Sequence, residues 1–335
     1  LVNSNESGNP GAIGTDPAGT FRGLDPVTRT FEHYNVHSFR YDAELSSRVR
    51  QRLSGAIYSD RLDFRSRFGP SFSRQSRNAF GTETSVALGR GDLLVFGMEW
   101  NGERFRSSFL TDGSVPFPVD RNIYGWFVEH HLERGGKFFL NTGARLEHLR
   151  LDALPRPALP ASQRAQLHPK LSAAYLLLRD TRLHASAGTG LRPPNGFELA
   201  FTDNPALKPE RTASFDAGLQ QAFLDRRLAV DLTWFYNRFH DQIVTLSPAQ
   251  AGLSRWRSDN LANAETKGLE VSLYAQPGRG LRLRGAYTYL DTAVLSLDGS
   301  SAFVQSFFRL GQQLLRRPRH AASWLASWQR GRLLV

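Results

Sequence analysis

Along much of the chain, apolar and polar residues alternate one by one. From Leu228 to Tyr236 one set reads Leu228, Val230, Leu232, Trp234 and Tyr236, and the interleaved set reads Ala229, Asp231, Thr233 and Phe235. Leu94, Phe96, Met98 and Trp100 alternate likewise with Val95, Gly97, Glu99 and Asn101, and Leu269, Val271, Leu273 and Ala275 with Gly268, Glu270, Ser272 and Tyr274. Phe138–Glu147 and Leu281–Tyr289 repeat the pattern. Successive side chains of an extended strand point to opposite faces, so this period predicts strands whose faces meet different surroundings. The runs reach about 10 residues or more, enough to cross a bilayer at a tilt, whereas strands in soluble domains usually have about 5–6. The apolar set is expected to face lipid and the polar set a lumen, with Trp100, Trp126, Trp234, Tyr236, Tyr287 and Tyr289 forming a girdle at headgroup level.

Short polar turns take turns with long connections. The short ones are Gly89–Asp92, Glu133–Gly136, Arg179–Thr181, Leu224–Arg227 and Gln276–Gly280; the long ones run near 60–75, 107–120, 151–168, 191–211, 246–262 and 292–318. Outer-membrane barrels have this asymmetry, with tight periplasmic turns and longer extracellular loops. The short turns recur roughly every 45 residues, also the period of a propeller blade, but a blade needs four short strands where this spacing holds two long ones. The expected fold is all-β, an antiparallel transmembrane barrel wall of roughly 13 or 14 strands. Ser301–Arg316 is amphipathic and predicts a short loop helix ended by Pro318.

Composition narrows the function. The 335 residues carry 42 Lys+Arg against 31 Asp+Glu, a net charge of +11, but the charges are scattered singly and only four are lysines. That distribution fits a solvated surface or lumen better than a phosphate track, so no nucleic-acid partner is expected. Cysteine is absent, which excludes disulfides, thiolate metal sites and thiol catalysis. There is no Gly-x-Ser-x-Gly, P-loop, dinucleotide fingerprint or zinc-protease helix, so no enzyme, no catalytic residues, no cofactor and no metal site are expected. His130 and His131 are adjacent, and on a strand they cannot chelate one ion together. Lumen charges such as Arg145 with Glu147, or Asp231 and Glu270 near Arg282 and Arg284, read as mutually satisfied wall residues rather than an acid–base pair.

One stretch stands out. From Leu191 the chain reads LRPPNGFELAF, and from Asn204 NPALKPERTASFDAG. Pro193, Pro194, Pro205 and Pro209 cannot donate ladder hydrogen bonds, which marks a loop, and alternation resumes over Thr212–Leu219. The stretch also resembles the most recognisable part of the TonB-dependent receptor barrel, an Arg-x-Pro element followed by Asn-Pro-x-Leu-x-Pro-Glu. Further resemblances lie at Arg238–Val244 (RFHDQIV), at Asn260–Leu273 (NLANAETKGLEVSL) and at Gly14–Thr30. The family-motif residues are Arg192, Pro193, Asn204, Pro205, Leu207, Pro209, Glu210, Asn263, Gly268 and Glu270; ligand-contacting residues are not assigned.

The resemblance runs from about residue 14 to 330, nearly the whole chain, and implies that 1–335 is part of a barrel of about 22 strands. It implies a plug domain, TonB as a partner through that plug, outer-membrane lipid around the wall, and a scarce small-molecule nutrient such as a ferric siderophore or cobalamin as cargo. The plug and the C-terminal strands are read as absent from the 335 residues, which are therefore expected to have edge strands near Thr30–Leu45 and near His320–Val335 and not to close a stable barrel alone. Haem receptors of the family carry a histidine between the two motif elements; residues 191 to 210 have none, so His184 and His240 are not expected to ligate haem. A passive porin or substrate-specific channel is the first alternative, and a soluble β-protein binding nucleic acid or glycan the second.

Overall fold

The structure is a computed structural model. It describes residues 2–8, 27–66, 69–112, 115–151, 165–202, 204, 207–246, 257–278, 280–297, 308–314, 317–330 and 333–334. The chain opens with β1 (Val2–Gly8), β2 (Arg29–Glu44), β3 (Val49–Ser66), β4 (Gly69–Gly89) and β5 (Asp92–Asp112). It continues through β6 (Val115–Arg134), β7 (Phe138–Leu151), β8 (Gln166–Leu178) and β9 (Thr181–Arg192) to a short helix, α1 (Gly196–Phe201). Then follow β10 (Glu210–Phe223), β11 (Leu228–Leu246), β12 (Arg257–Gly278), β13 (Leu281–Ser296), β14 (His320–Arg330) and β15 (Leu333–Leu334).

All 15 strands lie in sequence order in one sheet, each antiparallel to the next. Each strand thus pairs with its neighbour in the chain, a meander that needs no crossover. β2 to β14 have 11 to 22 residues, the long strands that the alternation predicts. The count exceeds the expected 13 or 14 because β1 lies outside β2 and the two-residue β15 beside β14.

Cross-strand partners share a face, so the register tests the predicted facing. Leu183, Leu219, Leu232, Val271 and Tyr287 fall in one row across five strands, and Leu232 is 42% exposed with nothing but surroundings to cover it. The adjacent row on the other face is His184, Gly218, Thr233, Glu270 and Thr288. An apolar row exposed to water would cost about 25 cal/mol per Å², which the hydrocarbon of a bilayer removes. The girdle forms as ring contacts on the apolar face: Trp234 stacks on Tyr236, and Tyr124 on Trp126 and His148. Tyr287 and Tyr289 both pack on His320.

The opposite face carries charges that answer one another. Arg145 bonds Glu99 at 2.8 Å and Glu147 at 3.1 Å, and Arg52 bonds Asp42 at 2.8 Å and Glu83 at 3.0 Å. His130 meets Asp92 while His131 meets Asn141, so the two rings have separate partners.

Three expectations are corrected. The connections expected at 60–75 and 107–120 are mostly strand: β3 runs to Ser66 and β4 resumes at Gly69, and β5 runs to Asp112 before β6 starts at Val115. Above the bilayer both faces of a hairpin meet water, so alternation fades while the ladder of hydrogen bonds continues. Of the helix expected at Ser301–Arg316, only 308–314 is described, and it holds a turn at Leu310 and Gly311 rather than helix. There Phe308 and Leu314 bury against Ala264 and Val294, and backbone bonds to Val294 satisfy the segment instead of helical ones. The strand over Thr30–Leu45, expected as an edge, has β1 as its partner.

Candidate functional site at the barrel mouth

The apolar cores of the described residues lie at the long-connection end. Leu110, Val119, Leu199, Phe201, Leu207 and Ile243 bury together, with Phe105 and Leu151 packed against them. Leu199 and Phe201 come from α1, whose six residues touch β5 on one side and β11 and β12 on the other. Five strands, β6 to β10, separate β5 from β11 in the sheet. A helix between β9 and β10 reaches both only by crossing the concave side, so the segment from Arg192 to Glu210 folds inward across the mouth.

Local sequence explains the fold-back. Pro193 and Pro194 end the strand ladder, and Asn195 then starts the helix with a capping box. The Asn195 side chain accepts from the Glu198 backbone N–H, and the Glu198 carboxylate accepts from the Asn195 N–H, both at 2.8 Å. Gly196 is needed at that point, since a Cβ there would stand 2.3 Å from the Phe105 ring. Arg121 donates to the Pro194 carbonyl at 2.6 Å and pairs with Glu103, fastening the start of the segment to β6 and β5. Leu207, 1% exposed, closes the far end; burying a leucine contributes about 1.5–3 kcal/mol.

The motif residues divide into two groups. Arg192 and Glu210 are register partners. The Arg192 guanidinium donates to Glu210 at 2.6 Å and forms a two-pronged pair with Glu198 at 2.9 and 3.0 Å. These residues lie beyond the aromatic girdle: Phe215 and Ala187 are register partners beside the rings, five positions nearer the membrane than Glu210 and Arg192. Glu210 first, then Glu198, hold the guanidinium above its ordinary value against the opposing effect of burial. The second Glu210 oxygen accepts from the Ile243 N–H at 2.7 Å. Asn204 donates to Asp259 at 2.8 Å, and Leu207 joins the core. Pro193 sets the exit from β9 and buried Pro209 the entry to β10; Pro205 lies outside the described residues.

Asn263, Gly268 and Glu270 belong to β12 and run away from this cluster. Asn263 bonds Ser296, Gly268 makes room for the Phe235 ring, and Glu270 faces the lumen in register with Thr233. The asparagine that joins the cluster is Asn260. It is 3% exposed, accepts from the Lys208 N–H at 2.9 Å, and donates to the carbonyls of Lys208 and Asp241. Glu198, Asp259 and Asn260 join the cluster although the periodicity does not reveal them. The Asn-x-x-Glu spacing of Asn195 and Glu198 carries the sequence signal for Glu198, the capping box.

Beneath α1 the fold leaves a cleft of about 280 Å³, lined by Gln75, Glu103, Phe105, Arg121, Asn195 and Phe197. Phe197 is 45% exposed. No group of three or more His, Asp or Glu side chains is placed to hold a metal among the described residues. His184 sits 3.4 Å from Asp231, while His240 pairs in register with Arg211, so the two histidines do not converge. The resemblance at Gly14–Thr30 falls mostly outside the described residues.

Comparison with known proteins agrees with this architecture. The family described as TonB dependent receptor-like, beta-barrel matches residues 2–334. The metal-pseudopaline receptor CntO of Pseudomonas aeruginosa is 26% identical over 260 residues, which are 78% of this chain and 30% of that protein. The vitamin B12 transporter BtuB of Photobacterium profundum is 28% identical over 163 residues, 48% of this chain and 24% of that protein. Among solved structures, the siderophore receptor PirA of Acinetobacter baumannii superposes with a TM-score of 0.70 at 15% identity, over 94% of this chain and 50% of that one. The chain thus spans half or less of the length of each of these relatives. With the family matching almost from end to end, and with long antiparallel strands, an apolar outer face and a charged inner one, this chain belongs to the TonB-dependent receptor β-barrel family of the Gram-negative outer membrane.

Proposed function

We propose that the protein containing this chain captures a metal–chelate nutrient at the mouth of the barrel and imports it with energy delivered through TonB to a plug inside the wall. The inward-folded segment from Arg192 to Glu210 carries this reading, because it lays α1 across the concave side and builds a cleft where a ligand entering from the long-loop end first meets the lumen. The cleft joins exposed aromatic surface from Phe197 to the amide groups of Gln75 and Asn195, with the Arg121–Glu103 pair in its wall. It offers binding and passage, not bond-making chemistry. A metal chelate with an aromatic or carboxylate arm suits the exposed ring and amide groups of this cleft. Of the relatives named above, the metal-pseudopaline receptor supports this cargo class, and the vitamin B12 transporter BtuB keeps cobalamin as the alternative.

Binding is tested with the purified full-length receptor by following tryptophan fluorescence during titration with a panel of ferric chelates and with cobalamin. Saturable quenching by one chelate, weakened at least tenfold by Gln75→Ala with Phe197→Ala, is the expected result. Saturation by cobalamin alone would replace the cargo class, and no saturation by any of them would argue for a passive channel.

A further inference from the structure

At the short-turn end, four strands finish in the same way. Leu45, Leu88, Leu177 and Phe223 each extend the outward, lipid-facing series of their strands to the last residues before the turn, and they are 65%, 55%, 51% and 47% exposed. Each is followed within two to four residues by an exposed arginine: Arg48, which also lines a cleft with Asp42, Arg52 and Glu83, and Arg90, Arg179 and Arg227. Lys137 occupies the remaining turn of this arc. None of these five cations has a carboxylate partner among the described residues.

The acids of this rim are largely engaged elsewhere. Asp92 takes Arg134 and His130, Asp180 takes Arg226, and Glu44 takes Arg50. Among the described acids of this rim, Glu133 and Asp225 alone are left to set against the five free cations. At the other end of the sheet Arg65, Arg106 and Arg238 likewise have no carboxylate partner among the described residues, but more of the cations there are paired. There Arg61 and Arg74 share Asp63, Arg104 pairs with Asp120, Arg192 with two glutamates, and Lys208 and Arg211 share Asp241.

We propose that the short-turn rim binds anionic phospholipid headgroups of the leaflet it enters, each outward apolar residue seating at the acyl boundary and the following arginine reaching a headgroup phosphate. Long cationic side chains on the rim of an apolar band extend to the interface in this way. Basic residues near a membrane are drawn to anionic lipid, and arginine forks match phosphate oxygens. The apolar–cationic pair recurs from the turn after β2 to the turn after β10, along an arc of ten strands. An acidic protein would meet one patch and would gain nothing from the exposed leucines, whereas a leaflet surrounds the wall and uses both.

This inference rests on the reading of the chain as outer-membrane barrel wall, but it does not depend on transport. A receptor that prefers anionic lipid yet imports no chelate would leave the rim standing and overturn only the proposed cargo. The test uses the full-length receptor reconstituted in phosphatidylcholine bilayers containing spin-labelled phosphatidylglycerol or spin-labelled phosphatidylcholine. The fraction of motionally restricted label reads the relative association of each lipid with the wall. Phosphatidylglycerol should be preferred severalfold, with the preference falling as salt rises. It should vanish in a variant carrying Arg48→Gln, Arg90→Gln, Arg179→Gln and Arg227→Gln, and persist in a control carrying Arg61→Gln, Arg65→Gln, Arg106→Gln and Arg238→Gln at the opposite end. Heat-modifiable gel mobility checks that both variants remain folded. Equal association of the two lipids with the unaltered receptor, a preference that survives the first variant, or one lost equally in the control, would overturn the proposal. So would abolition by millimolar inorganic phosphate, which would show that a free anion suffices without the leaflet.

Discussion

Arg192 shows how much one side chain at a loop can decide. It joins the last position of β9, the first position of β10 and the first turn of α1 through Glu210 and Glu198, which are 13% and 10% exposed in their side chains. Removing the guanidinium leaves two mostly buried carboxylates facing each other, a situation that costs about 3–5 kcal/mol when fully buried and less where, as here, the arginine is 43% exposed. Arg192→Ala is expected to release the segment 193–209, so that limited proteolysis of the full-length receptor cuts there. Arg192→Lys should give intermediate protection, because lysine keeps the charge but not the fork. Protection unchanged in Arg192→Ala would contradict the role assigned to the pair. A second residue-scale prediction uses neighbours that face opposite ways. Leu232→Arg, on the outward row, should destabilise the barrel by about 2–4 kcal/mol near the bilayer midplane, while Thr233→Arg on the lumen row should cost much less. Denaturant unfolding in lipid vesicles measures both, and equal losses would contradict the facing.

Strands were legible because their signal is periodic, and the inner and outer sets named from alternation are those that the register aligns. Where both faces meet water the period disappears, and the hairpin ends around Ser66 and Asp112 were accordingly read as loop. The amphipathic pattern of Ser301–Arg316 misled for a related reason. Phe308 and Leu314 are apolar because they cap an existing wall, not because a helix turns them to one side. In the mouth cluster, Arg192, Asn204, Leu207 and Glu210 were legible through the family motif, and Asn260 opens a further stretch of resemblance, whereas Glu198 and Asp259 were not singled out. Asp259 and Asn260 bond Asn204 and Lys208, far away in sequence, and such pairing leaves no local pattern, whereas Glu198 bonds Asn195 and Arg192 nearby and its signal is the capping box. The turns give a test of sidedness at the scale of elements. Single cysteines at Gly135 and Asp225, in the short turns after β6 and β10, should stay unlabelled when intact cells meet an impermeant thiol reagent. Cysteines at Ser162, Gln250 and Gly299, positions outside the described residues, should react. Labelling of Gly135→Cys from outside would reverse the topology.

For the whole molecule, a charged lumen wall and a mouth narrowed by its own loop have one consequence together. In the function proposed above, passage needs both a ligand that engages the mouth and a force, delivered through TonB, that clears the interior, while pairs such as Arg145 with Glu99 and Glu147 keep the wall itself satisfied. A passive pore would let small solutes through at a rate set by concentration alone, and an energised receptor would not. The most direct test is uptake of a radiolabelled ferric chelate by cells expressing the full-length receptor, compared in strains with and without TonB. Uptake that saturates with chelate and falls to background without TonB is the expected result; uptake that continues undiminished without TonB would contradict the account.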